Sequence, residues 1–563
     1  MSTAARALAS LERHREDFRP AVTQTKLAAL RHLVRARLRT AGQVRRLHEV
    51  LCFMRACPDS PALLRAVERL LTGFERRTDL RAHRDALADS GIAGTVMGYP
   101  FFYPSAHWIS RRWPDALRLD RSDTIAGESI AKSLPALMGA LEGFALRESH
   151  LPGYAALDAV RGTRTDATYL LDRIAAMAGD GFAREAFYDL INPSCELLPG
   201  KGTPERTSAL YAGGPRAWQT GSLHHARPDL RREIARPPRS IRRVPARDAQ
   251  TLIDLARAAM ISRCRDLDAF AYGNEDDVWL CTDDGALAFA LIGMQPERRA
   301  ALPAIYGGLT LRNGVPVGYH QADFLGRTAA VSFNTFETFR GGESAMVFGR
   351  LLATLRAFGG ATSFSIEPYQ LGQDNDEGIE SGAWWFYFKL GFRPRALAAV
   401  RLANAEAQRQ QRRSGYRSSP AVLRQLARHH LIFDFDPGDA APLLLPVRIG
   451  LRISAARAGV TRHLEHADDD GIVEAAMRRC GLASLRGLAR NERDAWTRLA
   501  PLYAALPLQG WTAAEIAALV PLARAKGAAS ERGYARRLFE HRRLEATLAA
   551  WQEMPIVQPR AAR

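Results

Sequence analysis

The sequence predicts a multidomain α+β protein. A central mixed β-sheet carries helices on both faces, and mainly α-helical N- and C-terminal regions flank it. Three observations predict this. Apolar residues recur at spacings of three and four through residues 1–95, and helical patterns return from about residue 420. Residues 239–400 instead alternate β-rich runs, turn dipeptides and amphipathic stretches. Two polar stretches, one around Pro237-Pro238 and one from Ala403 to Pro420, separate the regions. The expected limits are 1–235, 239–400 and 420–555. A chain of 563 residues has length for three or four domains at roughly 100–200 residues each.

In the N-terminal region, TKLAALRHLVRARL places Leu27, Leu30, Leu33 and Val34 on one helical face, and VRRLHEVLCFMRAC does the same with Val44, Leu47, Leu51 and Met54. SPALLRAVERLLTGF opens on Ser60 as N-cap and Pro61 at the first helical position. From 91 to 120 the sequence turns rich in glycine, proline and aromatics. That composition fits a loop-rich packing segment or a surface that meets another domain. Helical patterns return from 125 to 190, and 195–218 reads as loop.

The central region begins with a short β-like run, IRRVP. The amphipathic helix DAQTLIDLARAAMISR follows, with Asp248 as a candidate cap. VWLCTDDGALAFALIGM and AIYGGLTLRNGVPVGYHQAD each read as two strands joined at a turn, Asp284-Gly285 and Asn313-Gly314. TAAVSFNTF is a strand, RGGESAMVFGRLLATLRAFGG a helix closed by a glycine pair, TSFSIEPYQL a strand and SGAWWFYFKLGF a helix. Strands running mostly in antiparallel series between helices give a mixed sheet covered on both faces.

Composition narrows the function. The net charge is +18, but only five of the 78 basic residues are lysine. The arginines are interspersed with acids, as in RLFEHRRLEATL, which is the pattern of solvated helix faces rather than a nucleic-acid surface. The arginine bias, together with abundant alanine, fits a GC-rich bacterial genome. The six cysteines, at 52, 57, 195, 264, 281 and 480, form no CxxC pair. They are expected to be reduced and mostly buried, and no metal site is expected. No secretory signal and no 18-residue apolar run occurs, so a cytoplasmic protein without a membrane span is expected. HExxH, GxSxG and Walker patterns are absent. His224-His225 and His429-His430 are adjacent pairs whose side chains do not share a helix face.

Two local signatures carry chemistry. The first is Phe386–Phe392, FYFKLGF, with Ala383 four residues before Tyr387. The second is Arg340-Gly341-Gly342-Glu343-Ser344-Ala345, a glycine turn after a strand that opens a helix. With the strand and helix order, these residues resemble the GNAT superfamily of acyl-CoA-dependent N-acyltransferases over about 160 residues. The resemblance implies an acyl-CoA co-substrate, acetyl-CoA or longer, no metal, and a small-molecule or peptide amine as acceptor. It implies that Arg340, Gly341, Gly342, Ser344 and Ala345 cradle the pyrophosphate at a helix N-terminus. It also implies that Asn334 and Thr335 border the pantetheine opposite Glu367, Tyr369 and Gln370, with Asn375 loosely matched to a family asparagine.

In the family the late tyrosine can protonate the leaving thiolate, which makes Tyr387 the expected general acid. Ala383, Tyr387, Leu390 and Gly391 share one helical face. Trp384, Phe388 and Phe392 form a neighbouring stripe, and Phe386 and the tryptophans secure the helix. Glu367 is the best-placed general base by order along the chain, ahead of Glu337, Asp374, Glu377 and Glu380. Glu343 stands where the family has glycine. Phosphate binding therefore requires its carboxylate to turn outward.

Fold alone does not fix function. Two alternatives share these features. One is a non-catalytic GNAT-like scaffold. The other is an aminoacyl-tRNA-dependent transferase, which would use the basic charge.

Overall fold

The computed structural model describes residues 2–460 and 469–554. Its largest element is a nine-stranded mixed sheet in the order β11-β12-β10-β9-β8-β7-β6-β5-β4. The strands are β4 (Ser240–Arg243), β5 (Gly273–Thr282), β6 (Leu287–Met294), β7 (Ala304–Arg312), β8 (Val315–Leu325), β9 (Thr328–Thr335), β10 (Ser363–Ile366), β11 (Arg393–Pro394) and β12 (Leu431–Asp434). Every neighbouring pair is antiparallel except β9 and β10, which run parallel.

The two hairpins form as the turn dipeptides predict. Asn313 and Gly314 both take positive φ, 50° and 79°, as a two-residue hairpin turn requires. Along the fully buried β6, side chains alternate between two cores. Phe289 and Leu291 join Tyr306, Phe324 and the Ser344–Gly359 helix. Ala288, Ala290 and Ile292 join Leu309 and the Ala246–Ile261 helix. The sheet is thus covered on both faces. Asp248 does not cap the latter helix: Pro245 holds the N-cap position and Asp248 lies in the first turn.

The sheet extends past the expected limit of 400. Of the polar stretch after Leu402, expected as a helix end plus a linker, the helix end forms and the remainder is tied onto it. The Leu397–Arg412 helix runs through it, and β12 then inserts between β10 and β11. Glu406 explains the order there. Its buried carboxylate accepts hydrogen bonds from Ser418 at 2.6 Å and Tyr416 at 3.0 Å, which ties the end of that stretch back onto the helix. The C-terminal helices share one core with the sheet: Trp496, Tyr503, Tyr534 and Leu548 belong to the same cluster as Phe289 and Phe358.

The N-terminal region is helical through Thr72, with Ser60 accepting from the Leu63 amide and Pro61 beginning the helix. Val34, expected on the apolar face, is half exposed, because Leu30 and Leu33 already fill that core. The region also holds strands. β1 (Met97–Tyr99), β3 (Cys195–Leu197) and β2 (Leu117–Leu119) form a small antiparallel sheet in that order. The aromatic segment before it meets the central region. Gly91 takes φ 64°, and a Cβ there would lie 1.9 Å from the Ser262 carbonyl oxygen.

Candidate functional site

β10 pairs with β9 for only three residues, ending at Ser365 opposite Ala330. β9 then continues with β8 as far as Thr335, while β10 gives way to a helical turn beginning at Pro368. The strands part, and a cleft of about 670 Å³ opens at the gap.

The residues expected to hold a cofactor converge on this cleft. Asn334 and Thr335 border it from the end of β9, and Arg340, Gly341, Gly342, Ser344 and Ala345 from the turn that follows. Asn375 lines the other side, where its side chain accepts from the Gly378 amide and donates to the Tyr369 carbonyl at 3.0 Å. Gly341 takes φ 97°, a conformation that favours glycine. The first amides of the Ser344–Gly359 helix have no intrahelical partners and point out of its N-terminus beside the turn. Glu343 turns its carboxylate away, into an ion pair with Arg312 and a hydrogen bond from the His224 amide.

One ionic bridge closes part of the mouth. Glu377 accepts from Arg265 at 2.8 Å and from Arg340 at 3.0 Å. Hydrogen bonding from Arg265 is the main cause that holds its carboxyl below the usual range. Arg340 also donates to the Thr335 carbonyl at 3.1 Å, which fixes the turn to the strand end.

Tyr387 lines the cleft with Ala383 and Phe386. Its ring packs on Phe348 and Phe392, with centroids 5.4 and 5.8 Å apart, and burial pushes its phenol well up. Phe386, expected only to secure the helix, is also in the wall. Glu367 stands apart from the cleft lining. It is the residue just after β10, its side chain is exposed, and it acts on Asp323 of β8 instead. The acids that do line the cleft are Asp266 and Glu377.

Sequence reading missed Asp266, Tyr99 and His225 as lining residues. His225 comes from a segment that crosses from the N-terminal helices, where Glu16 lies 3.4 Å from its ring. Only the Gly/Pro/aromatic run around Tyr99, read as either a loop-rich packing segment or a surface meeting another domain, signalled any of these. A second cavity of about 640 Å³ lies beside Trp108 and Trp113. There Arg112 is already paired with Asp254 at 2.6 Å, and the Glu205 carboxylate is taken by Ser208 and the Thr207 amide.

All six cysteines are free, five buried and Cys264 half-buried. Among the described residues, no group of three His, Cys, Asp or Glu side chains is placed to hold a metal ion, and no helix is long and apolar enough to cross a membrane. No protein-family model, curated protein or solved structure matches the chain.

Proposed function

We propose that the protein is an acyltransferase of the GNAT type, which moves an acyl group from acyl-coenzyme A to an amine. The observation that carries this reading is the parting of β9 and β10 over a cleft that joins a glycine turn at a helix N-terminus to Tyr387. An extended thiol-ester donor fits such a gap. Its anionic end meets the free amides and Arg340, and its thioester lies between the strand ends.

In the reaction, the amine nitrogen attacks the thioester carbonyl carbon. A C–N bond forms, the C–S bond breaks, and the sulfur leaves as thiolate. The nitrogen loses its proton to water or a carboxylate, and the thiolate finally takes one up. Because burial raises the Tyr387 phenol, it stays protonated. That suits it to donate a hydrogen bond to the developing thiolate, with solvent completing the proton transfer.

Calorimetry of the full-length protein with acetyl-CoA and with longer acyl-CoAs tests the reading. Saturable binding of at least one is expected. Binding of none would remove the donor and favour a scaffold role.

A further inference from the structure

The end of the cleft away from the glycine turn is built from two segments far apart in sequence. One is residues 264–267, between the Ala246–Ile261 and Asp268–Ala271 helices. The other is β1 and the start of the Tyr103–Arg112 helix. They are stitched together at Asp266. Its Oδ2 accepts from the Phe102 amide at 3.0 Å, and its Oδ1 accepts from the Ser105 hydroxyl. Nearby, the Cys264 thiol lies 3.9 Å from the Gly98 carbonyl. This junction brings Tyr99 into the same wall as Asp266 and Tyr319.

Asp266 stands outside the ionic cluster at this end. Arg265 and Arg340 share Glu377, so the guanidinium beside Asp266 is already engaged. Both donors to Asp266 are neutral, and no ion pair reaches its carboxylate among the described residues. Burial raises its carboxyl to about 6, and Asp268 adds to the effect. An ionised carboxylate accepts about four hydrogen bonds, and two are used here. A carboxylate in a partly desolvated wall without a counterion is stabilised by an arriving cation and by nothing neutral to the same degree. The rings of Tyr99 and Tyr319 favour the same occupant, because aromatic faces attract an ammonium group.

We infer that Asp266, Tyr99 and Tyr319 form a subsite for an aliphatic ammonium group, completed by the N-terminal region. That the cation is the acceptor amine rests on the acyltransferase reading; the subsite itself does not. The inference gives the small β1-β3-β2 sheet a task. It carries Tyr99, and the adjoining helix holds Asp266 in place.

The test uses the full-length protein with no acyl donor present. Cadaverine and spermidine are titrated calorimetrically at low salt and pH 8, with 1,5-pentanediol as the neutral counterpart. Both amines should bind and the diol should not. Asp266→Asn should weaken amine binding at least tenfold. Because that change also disturbs the bond from the Phe102 amide, a second measurement leaves the protein unaltered. In wild type, amine affinity should fall severalfold between pH 8 and pH 5, as Asp266 takes up a proton.

Around Asp266, Glu377 is held low by Arg265 and stays ionised over that range, and the raised Tyr99 phenol stays neutral. Cys264 is pushed up to about 11 and also stays neutral. Tyr319 lines the same cleft, and its hydroxyl accepts from Arg265 at 3.4 Å, so that guanidinium stays a fixed charge over the same range. Asp268 is itself raised by burial, and His225 lines the same cleft with a side chain that can change charge in this range, so the pH effect must persist in Asp268→Asn and in His225→Gln. Failure of wild type to bind either amine, equal binding of the diol, or an affinity indifferent to both Asp266→Asn and pH would overturn the inference. Amine binding without any acyl-CoA binding would leave the subsite standing and remove the acyltransferase reading instead.

Discussion

Glu343 turns its carboxylate onto Arg312, the last residue of β7, and leaves the Gly341-Gly342 turn open to the cleft. Both side chains are largely buried, so the pairing is weakly screened. A negative charge one residue from the proposed phosphate cradle is thereby neutralised by a neighbouring strand. The two partners should consequently behave oppositely. Arg312→Gln frees the Glu343 charge beside the turn and should weaken acyl-CoA binding about tenfold, roughly 1.4 kcal/mol. Glu343→Gln frees the Arg312 charge instead and should leave binding equal or tighter. Calorimetry on the two variants decides it, and equal weakening in both would mean that the pair serves the fold alone.

Asp277 joins the sheet to the C-terminal helices. Its carboxylate accepts from Trp279 and Tyr306 at 2.9 Å, from Ser530 at 2.5 Å and from the Glu531 amide at 2.9 Å. Beside it, Lys526 pairs with Glu531 at 2.5 Å, and Arg299 donates to the carbonyls of Lys526, Ala528 and Ala529. Asp277→Ala leaves four neutral donors without their acceptor, and the bonds from Tyr306 and the Glu531 amide are fully buried. At about 1–3 kcal/mol for each buried donor left unsatisfied, it should cost about 3–5 kcal/mol. The sheet and the C-terminal helices should melt together, since they share one core. A two-step melt in which only the C-terminal helices respond would contradict this.

The hairpins, the glycine turn and the aromatic helix were legible because local chemistry decides them. Asn313-Gly314 needs positive φ, and Gly341 does too. The reach of the sheet was not legible. β12 begins 65 residues beyond the end of β10, counting from 366 to 431, and its pairing is a long-range contact that no local pattern encodes. The linker reading failed at Glu406 for a related reason, since its acceptors' partners lie ten and twelve residues away. For the site, residues on the strand ends and the turn were found because they are contiguous. Asp266 and Tyr99 were missed because only tertiary packing brings them together, and Glu367 was favoured by chain order although it does not line the cleft.

Asp323, on β8, carries a pH signature. Burial pushes its carboxyl up to about 7, Glu367 adds to the rise, and the Gln321 amide donating at 2.9 Å opposes it. The folded value lies above the unfolded one, roughly 4. The folded state therefore keeps the proton between the two. This group's stability contribution is full below about pH 4 and is lost as pH rises toward 7. Asp323→Asn mimics the protonated form. The variant should match wild type at pH 4 and exceed it at pH 8, by on the order of 4 kcal/mol in urea unfolding. A gap that is the same at both pH values would mean that the carboxyl does not titrate as stated.

Tyr387 gives the most direct test of the chemistry. Its ring is fixed by Phe348, Phe386 and Phe392, and the residue sits in the cleft wall one helical turn from Ala383. The structure gives its hydroxyl no hydrogen-bond partner among the described residues. Tyr387→Phe therefore removes a group that contributes little to folding, because a hydroxyl open to the cleft makes no protein hydrogen bond that the change would break. Stability should stay the same or rise slightly. If the phenol donates a hydrogen bond to the leaving thiolate, turnover should fall roughly a hundredfold, the scale for removing one donor to charge that develops in the transition state. Acyl-CoA affinity should change little, because the interaction is strongest in the transition state. The pattern to look for is a lower kcat with KM nearly unchanged and the melting temperature held or raised. A Phe variant with normal kcat would assign Tyr387 to packing alone.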